Sequence, residues 1–350
     1  QPSTFPMNFP SIRIEGQIFS GELLDRLDQP DTVGQRPADF GLPPDVKVKD
    51  EIARTWASSQ SFYRAFRQKT GKEAPSLQAD SLTTETRNLW LIPFLSLLGY
   101  KPDYARKGEE INGKIYPISH RDDARDHLPI HLLGWNDSLD KRREDGSGPR
   151  MSPHALLQEY LNLSEHLYGI VANGHVLRLL RDSTRLVRQS FIEFDLERMF
   201  EEDLFADFAV MFRLLQATRL PASQAAAPAS LVEKYHQDAL DQGSRIREGL
   251  SKAVEQTILR FANGFLTHPD NEALRSDISA NRLKPETYYQ YLLRLIYRVL
   301  FLLVTEERRL IFPTTVPAPK REIYYQHYSL QRIRRLAEKP HLMERRHKDL

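Results

Sequence analysis

Cysteine is absent from the 350 residues. That removes disulfides, thiolate zinc sites, iron–sulfur clusters and thiol nucleophiles together. Long apolar runs are also missing. The longest near the C-terminal end, Val299 to Val304, falls far short of the roughly 18 residues that span a bilayer. Gln1 to Gly16 has no basic segment followed by an apolar one, so no secretory signal is expected there. These features predict a soluble, cytoplasmic chain with no membrane partner. Because it opens on Gln1, it reads as a portion of a longer polypeptide. A strong charge of one sign is lacking too: 49 basic against 47 acidic residues leave a formal charge of +2, so no global field marks a polyanionic partner.

The composition is that of a folded protein, with 40% hydrophobic and 10% aromatic residues. At about 150 residues per domain the length predicts about two domains. Arginine supplies 35 of the basic residues and lysine 14. That bias suits bidentate phosphate recognition, and a GC-rich genome produces it equally well.

The first forty-five residues, interrupted by Pro2, Pro6, Pro10, Pro30, Pro37, Pro43 and Pro44, read as an arm or wrapping loop. Apolar spacing predicts helices over Val46–Thr70 and Thr84–Leu98. Two extended segments follow, Lys101–Arg106 and Lys114–Ser119, joined by a turn with Asn112-Gly113, and Leu128–Trp135 is a further strand. Ser152-Pro153 is an N-cap with proline at the first helical position, opening a helix to Leu163. The Asn173-Gly174 pair predicts a hairpin between Leu167–Ala172 and His175–Arg181, and Phe191–Leu196 adds another strand. Beyond it the sequence is helical: Met199–Ala217, an Ala/Pro/Ser linker Pro221–Ser230, Leu231–Phe265, and Pro285–Glu307, within which Arg294 and Arg298 are expected to pair with Glu306 or other acids. Seven basic residues crowd Gln331–Lys348. The expected organisation is an arm and helix over 1–80, an α/β domain over 81–198 and a helical domain over 199–350.

No catalytic set is complete. Gly108 to Lys114 has the Gly-x4-Gly-Lys spacing of a phosphate-binding loop, but Ile115 stands where Ser or Thr must hold magnesium, and Glu109 and Glu110 would repel phosphate. His120, Asp122, Asp123, Asp126, His127 and His131 could offer imidazole and carboxylate to a cation; spacing alone favours a solvated loop leading into a strand. A magnesium-dependent nuclease needs an acid on one strand and, on the next, an acid and a lysine two apart, so that both face one groove. Only Asp45 and Lys47 have that acid–lysine spacing, and they open a helix. Neither a Gly-x-Ser-x-Gly elbow nor the Asn-Pro-Pro-aromatic tetrad of adenine methylation is present.

An ordered series of segments carries a resemblance. Tyr116–His120, Pro129–Gly134, Leu139–Arg143, Ser152–Asn162, Tyr168–Gly174 and Leu177–Ser183, followed by Leu231–Tyr235, Asn263–Leu266 and Tyr297–Arg308, resemble the N-terminal region of type IIG restriction-modification polypeptides and of the adenine methylases of the DISARM and BREX phage-defence systems. The similarity covers roughly residues 10 to 340. It implies a PD-(D/E)xK restriction-endonuclease-like α/β (α+β) core followed by an α-helical connector, with the adenine-N6 methylase beginning afterwards. On that match His131 replaces the acid and Leu133 the lysine of the cleavage motif, which implies a degenerate, non-catalytic core. The alternative is an active Mg-dependent endonuclease with a rearranged site using Asp122, Asp123 or Asp126.

The expected partner is double-stranded DNA, together with other defence-system subunits. Lys141, Arg142, Arg143 and Arg150, ahead of a helix N-terminus, are the first candidates for phosphate contacts. Arg178, Arg181, Arg185 and Arg188 form a second group, unless they pair with Asp182, Glu193 and Asp195. No cofactor is expected in this segment. S-adenosylmethionine belongs to the parent polypeptide, and magnesium only to the nuclease alternative.

Overall fold

The computed structural model describes residues 9–29, 31–71, 79–142, 150–183, 190–313 and 315–339. The chain divides into two compact units, 1–243 and 244–350.

The first unit is a mixed α/β layer structure. Its elements are β1 (Ile12–Glu15), α1 (Gly21–Arg26), a 3-10 turn at Pro37–Phe40, α2 (Val48–Thr70), α3 (Ala79–Glu85), a π-helical turn at Thr86–Leu91, and α4 (Ile92–Leu97). Then come β2 (Asp103–Tyr104), β3 (Glu109–Ile111), β4 (Lys114–Tyr116), β5 (His120–Asp122) and β6 (Leu128–Leu132). They are followed by α5 (Pro153–Leu163), β7 (Tyr168–Ala172), β8 (Val176–Arg181), β9 (Phe191–Asp195), α6 (Leu196–Glu201), α7 (Phe205–Leu215) and α8 (Leu231–Thr267), within which the division between units falls.

Seven strands form one sheet in the order β1-β9-β8-β7-β6-β5-β2. Only β6 and β7 run parallel, because α5 crosses between them; all other neighbours are antiparallel. Strands β6 and β7 are buried at every position, as strands covered on both faces must be. Leu128, Ile130, Leu132, Ile170, Leu177, Leu179, Ile192 and Phe194 face the larger core, with Trp90, Phe94 and Phe200. Val171, Leu180 and Phe191 face the smaller one, against Leu156, Leu157, Tyr160 and Leu161 of α5. The Ser152 hydroxyl accepts from the Ala155 amide, and Pro153 starts α5. Ser152→Ala is expected to lower stability by about 1 kcal/mol in urea denaturation, the usual cost of a lost N-cap.

Local chemistry explains where the elements depart from expectation. Within the supposed arm, Ile12 and Ile14 alternate inward and β1 pairs with β9; four residues are too few to announce a strand. Asn112 (φ 51°) and Gly113 (φ 76°) do turn a hairpin, but it joins β3 to β4, whereas Asp103–Tyr104 pairs with β5. His120 to Asp122, expected in a solvated loop, form a strand in which His120 and Asp122 are buried. The helix expected over Thr84–Leu98 widens into the π turn ahead of Pro93, which has no amide to donate back along the helix. Asp203 adopts φ 57°, so Met199–Ala217 is not one helix but parts of α6 and α7. The Pro221–Ser230 segment is tied down: Arg125 Nη1 donates to the Pro221 carbonyl, and the Gln224 amide to Asp126.

In the second unit, α9 (Glu272–Ser279), α10 (Pro285–Glu307), α11 (Ala318–His327) and α12 (Leu330–Ala337) follow the end of α8. Ile258, Leu292 and Ile296 centre a small core. Glu306 is buried and accepts from the Tyr324 hydroxyl and the Leu330 amide, so it is not the partner expected for Arg294 or Arg298. Both of those arginines are exposed, and Arg294 lies over the Tyr291 ring. No helix among the described residues is long and apolar enough to cross a membrane.

Candidate nucleic-acid interface

The strands β5 and β6 are neighbours, as a nuclease groove would require, but their polar side chains do not converge. His120 lies opposite Ile130, and Asp122 opposite Leu128. Paired residues share a face, so His120 and Asp122 lie on the side of the larger core. Alternation puts His131 on the other face. His131 and Asp122 are therefore separated by the sheet. Leu133 is buried in the smaller core, where a side chain reaches no phosphate.

The three aspartates of the rearranged alternative each have a structural task. Asp122 is 1% exposed; one carboxylate oxygen accepts from the Lys101 amide and the other from the Ala124 amide, both at 3.1 Å. Asp123 is exposed and pairs with His127 at 2.7 Å. Asp126, at φ 54°, accepts from the Gln224 amide at 3.0 Å. They gather round no common point, and among the described residues no group of three His, Asp or Glu could hold a metal ion.

What does gather at this end of the sheet is a serine, two histidines and an arginine. The Ser119 amide donates to His131 Nδ1 at 3.2 Å, and the Ser119 hydroxyl accepts from the Leu132 amide at 2.8 Å. His120 Nδ1 lies 2.9 Å from the same hydroxyl. From the π turn, Arg87 brings its guanidinium to the Leu132 carbonyl at 2.6 and 3.0 Å. Burial first, and the Arg87 charge second, push His120 down to about 4. Below its unfolded value near 6.5 the unfolded chain takes up a proton that the folded chain refuses. Stability is therefore expected to fall as pH drops from about 6.5 to about 4, by up to about 3 kcal/mol from this residue. Urea denaturation at several pH values should show that slope, and His120→Gln should flatten it; an unchanged slope would mean that His120 is not the group responsible.

The exposed cations lie on the other side, ahead of α5. Lys141, Arg142 and Arg150 are exposed; Arg143 lies outside the described residues. The approach to them is pinned at several points. Asp137 accepts from the Gly134 amide, the Asp137 carbonyl accepts from Asn173 Nδ2 at 2.7 Å, and the Asp140 and Lys141 amides meet the Ser138 hydroxyl. Asp140 is clamped by Arg178 through two hydrogen bonds at 2.6 and 2.8 Å, and the bonds from Arg178 hold its carboxyl below the ordinary carboxylate range.

Arg178 and Arg181 are thus not a second surface group. The Arg178 side chain is 5% exposed and also donates to Glu193. Arg181 grips Glu233 at 2.8 and 2.9 Å, and Glu233 accepts from the Tyr168 hydroxyl and Gln237 as well. Burial opposes the Glu233 charge, yet these donors outweigh it and hold the carboxyl below its usual range. Arg185 and Arg188 lie outside the described residues. The role of Arg178 as an anchor was foreshadowed by its place among Leu177, Leu179 and Leu180, where an inward arginine requires acids. Nothing in the sequence flagged Ser119 or Arg87, whose hydroxyl and guanidinium meet the backbone of Leu132, 13 and 45 residues away.

No protein-family profile, curated protein or solved structure matches the chain.

Proposed function

We propose that this chain is the N-terminal, non-catalytic portion of a restriction-modification or phage-defence adenine-N6 methyltransferase, and that its α/β unit is a degenerate PD-(D/E)xK-like fold that docks double-stranded DNA without cutting it. The ordered series of segments beginning at Tyr116–His120 supports the kinship. The observation that carries the non-catalytic reading is the distribution of groups about β5 and β6: His131 and Asp122 lie on opposite faces, and Leu133 is packed under α5. Hydrolysis through two metal-bound oxygens needs carboxylates on one side of the sheet. Docking needs only cations held at a fixed place, since phosphate contacts position a duplex without chemistry. Lys141 and Arg142 answer that requirement directly after Asp140, which Arg178 ties to the sheet, and Arg150 is exposed just ahead of α5. They precede the N-terminus of α5, whose free amides favour negative charge. S-adenosylmethionine would serve the methylase of the parent polypeptide, outside this unit.

The test is incubation with supercoiled plasmid and Mg²⁺ or Mn²⁺. The expected result is DNA that is retarded in a gel but not nicked. Metal-dependent nicking that disappears when Asp122, Asp123 and Asp126 are replaced together would establish the endonuclease alternative instead.

A further inference from the structure

Two arginines of the first unit are buried without the acids that buried cations ordinarily require. Arg213, near the end of α7, is 5% exposed, and Arg219, in the 3-10 turn Ala217–Arg219 that follows, is 1% exposed. Their acceptors are neutral. Arg213 Nη1 donates to Gln35 Oε1 at 2.9 Å, and Arg219 Nη1 to the Gly34 carbonyl. Arg213 Nε and both Nε and Nη2 of Arg219 are buried with no hydrogen-bond partner. Arg178 and Arg181, by contrast, each hold a carboxylate with two hydrogen bonds.

One aromatic face offsets part of the mismatch. The Arg219 guanidinium lies 3.7 Å from the centre of the Phe40 ring. Burial pushes Arg219 down to about 10 and lowers Arg213 as well; the Arg213 charge also counts against that of Arg219. Asp28 and Asp39 act on the pair only at a distance, and Asp39 is already committed to the Arg36 amide. Over the arginines runs the segment Val33–Gln35. It is fastened by the two arginine bonds, by the Tyr235 hydroxyl donating to the Val33 carbonyl, and by Gln35 Nε2 donating to Tyr235 at 3.0 Å. The segment also borders a cavity of about 140 Å³, lined among others by Asp31, Thr32, Val33 and Tyr235.

We propose that Arg213 and Arg219 form a binding site for a phosphate-class oxyanion, over which residues 32–36 sit as a displaceable cover. A carbonyl and a side-chain amide now occupy the place of the anion. Phosphate supplies what they lack: negative charge against two guanidiniums, and enough oxygens to accept from both forks, including the three unpaired nitrogens. Gly34 holds φ +78°, a conformation glycine adopts without steric cost, and it is this residue's carbonyl that accepts from Arg219.

The inference is independent of DNA docking, and its test uses the intact chain with inorganic phosphate at ionic strength matched by chloride. Thermal melting is expected to show a saturable rise in Tm with phosphate, lost in Arg213→Gln and in Arg219→Gln. Hydrogen exchange of the wild-type chain is expected to quicken at residues 32–36 when phosphate binds, a readout that needs no variant to fold. A wild-type Tm indifferent to phosphate, a rise that survives in both variants, or unchanged exchange over 32–36 would overturn the proposal.

Discussion

Glu233→Ala is expected to cost about 3 to 5 kcal/mol of folding stability, the effect of removing one partner from a buried ion pair. Glu233 has a side chain 7% exposed and receives two hydrogen bonds from Arg181, whose own side chain is 12% exposed. The same carboxylate takes the Tyr168 proton donor at 2.7 Å. Without it, a guanidinium and a phenol on neighbouring strands β8 and β7 lose their acceptor inside the fold, where water cannot replace it. Urea denaturation of the chain reads the loss. Glu233→Gln should cost less, because an amide oxygen still accepts although the charge is gone. A loss below about 1 kcal/mol in Glu233→Ala would show that the pair is solvated and does not fasten α8 to the sheet.

The second large effect is on binding. Neutralising Lys141, Arg142 and Arg150 together is expected to weaken duplex affinity by about two orders of magnitude near 0.1 M salt and to reduce the slope of log K against log salt by roughly 2.7, since each phosphate contact contributes about 0.9. The fold should be untouched, because all three side chains are exposed. Affinity lost with the slope unchanged would mean that the three residues act by shape and not by counterion release. Affinity retained would move the interface elsewhere.

Much of the fold is legible in the residues because the signals are local. Ser152-Pro153 and Asn173-Gly174 mark the start of α5 and the β7–β8 turn, and Pro285–Glu307 coincides with α10. The elements that escape reading are those whose stability comes from distant partners. β1 exists because β9 offers it an edge. β5 exists because Asp122 is satisfied by the amides of Lys101 and Ala124, so a His/Asp-rich stretch that looks solvated can be buried. The candidate site follows the same rule. Exposed Lys141 and Arg142 could be named from composition around a helix start. The division between exposed cations and the buried anchors Arg178 and Arg181 depends on which acids the strands bring alongside, and Asp140 and Glu233 lie 38 and 52 residues from their partners. Opposite faces for Asp122 and His131 follow from the β5–β6 register, which a turn at Asp126 and His127, both at positive φ, fixes.

Fluorescence anisotropy of a labelled DNA duplex titrated with the chain, at about 50 and about 200 mM salt without divalent metal, tests the docking account most directly. The account predicts binding at the lower salt that weakens steeply at the higher. No binding at the lower salt, or binding indifferent to salt, would contradict it.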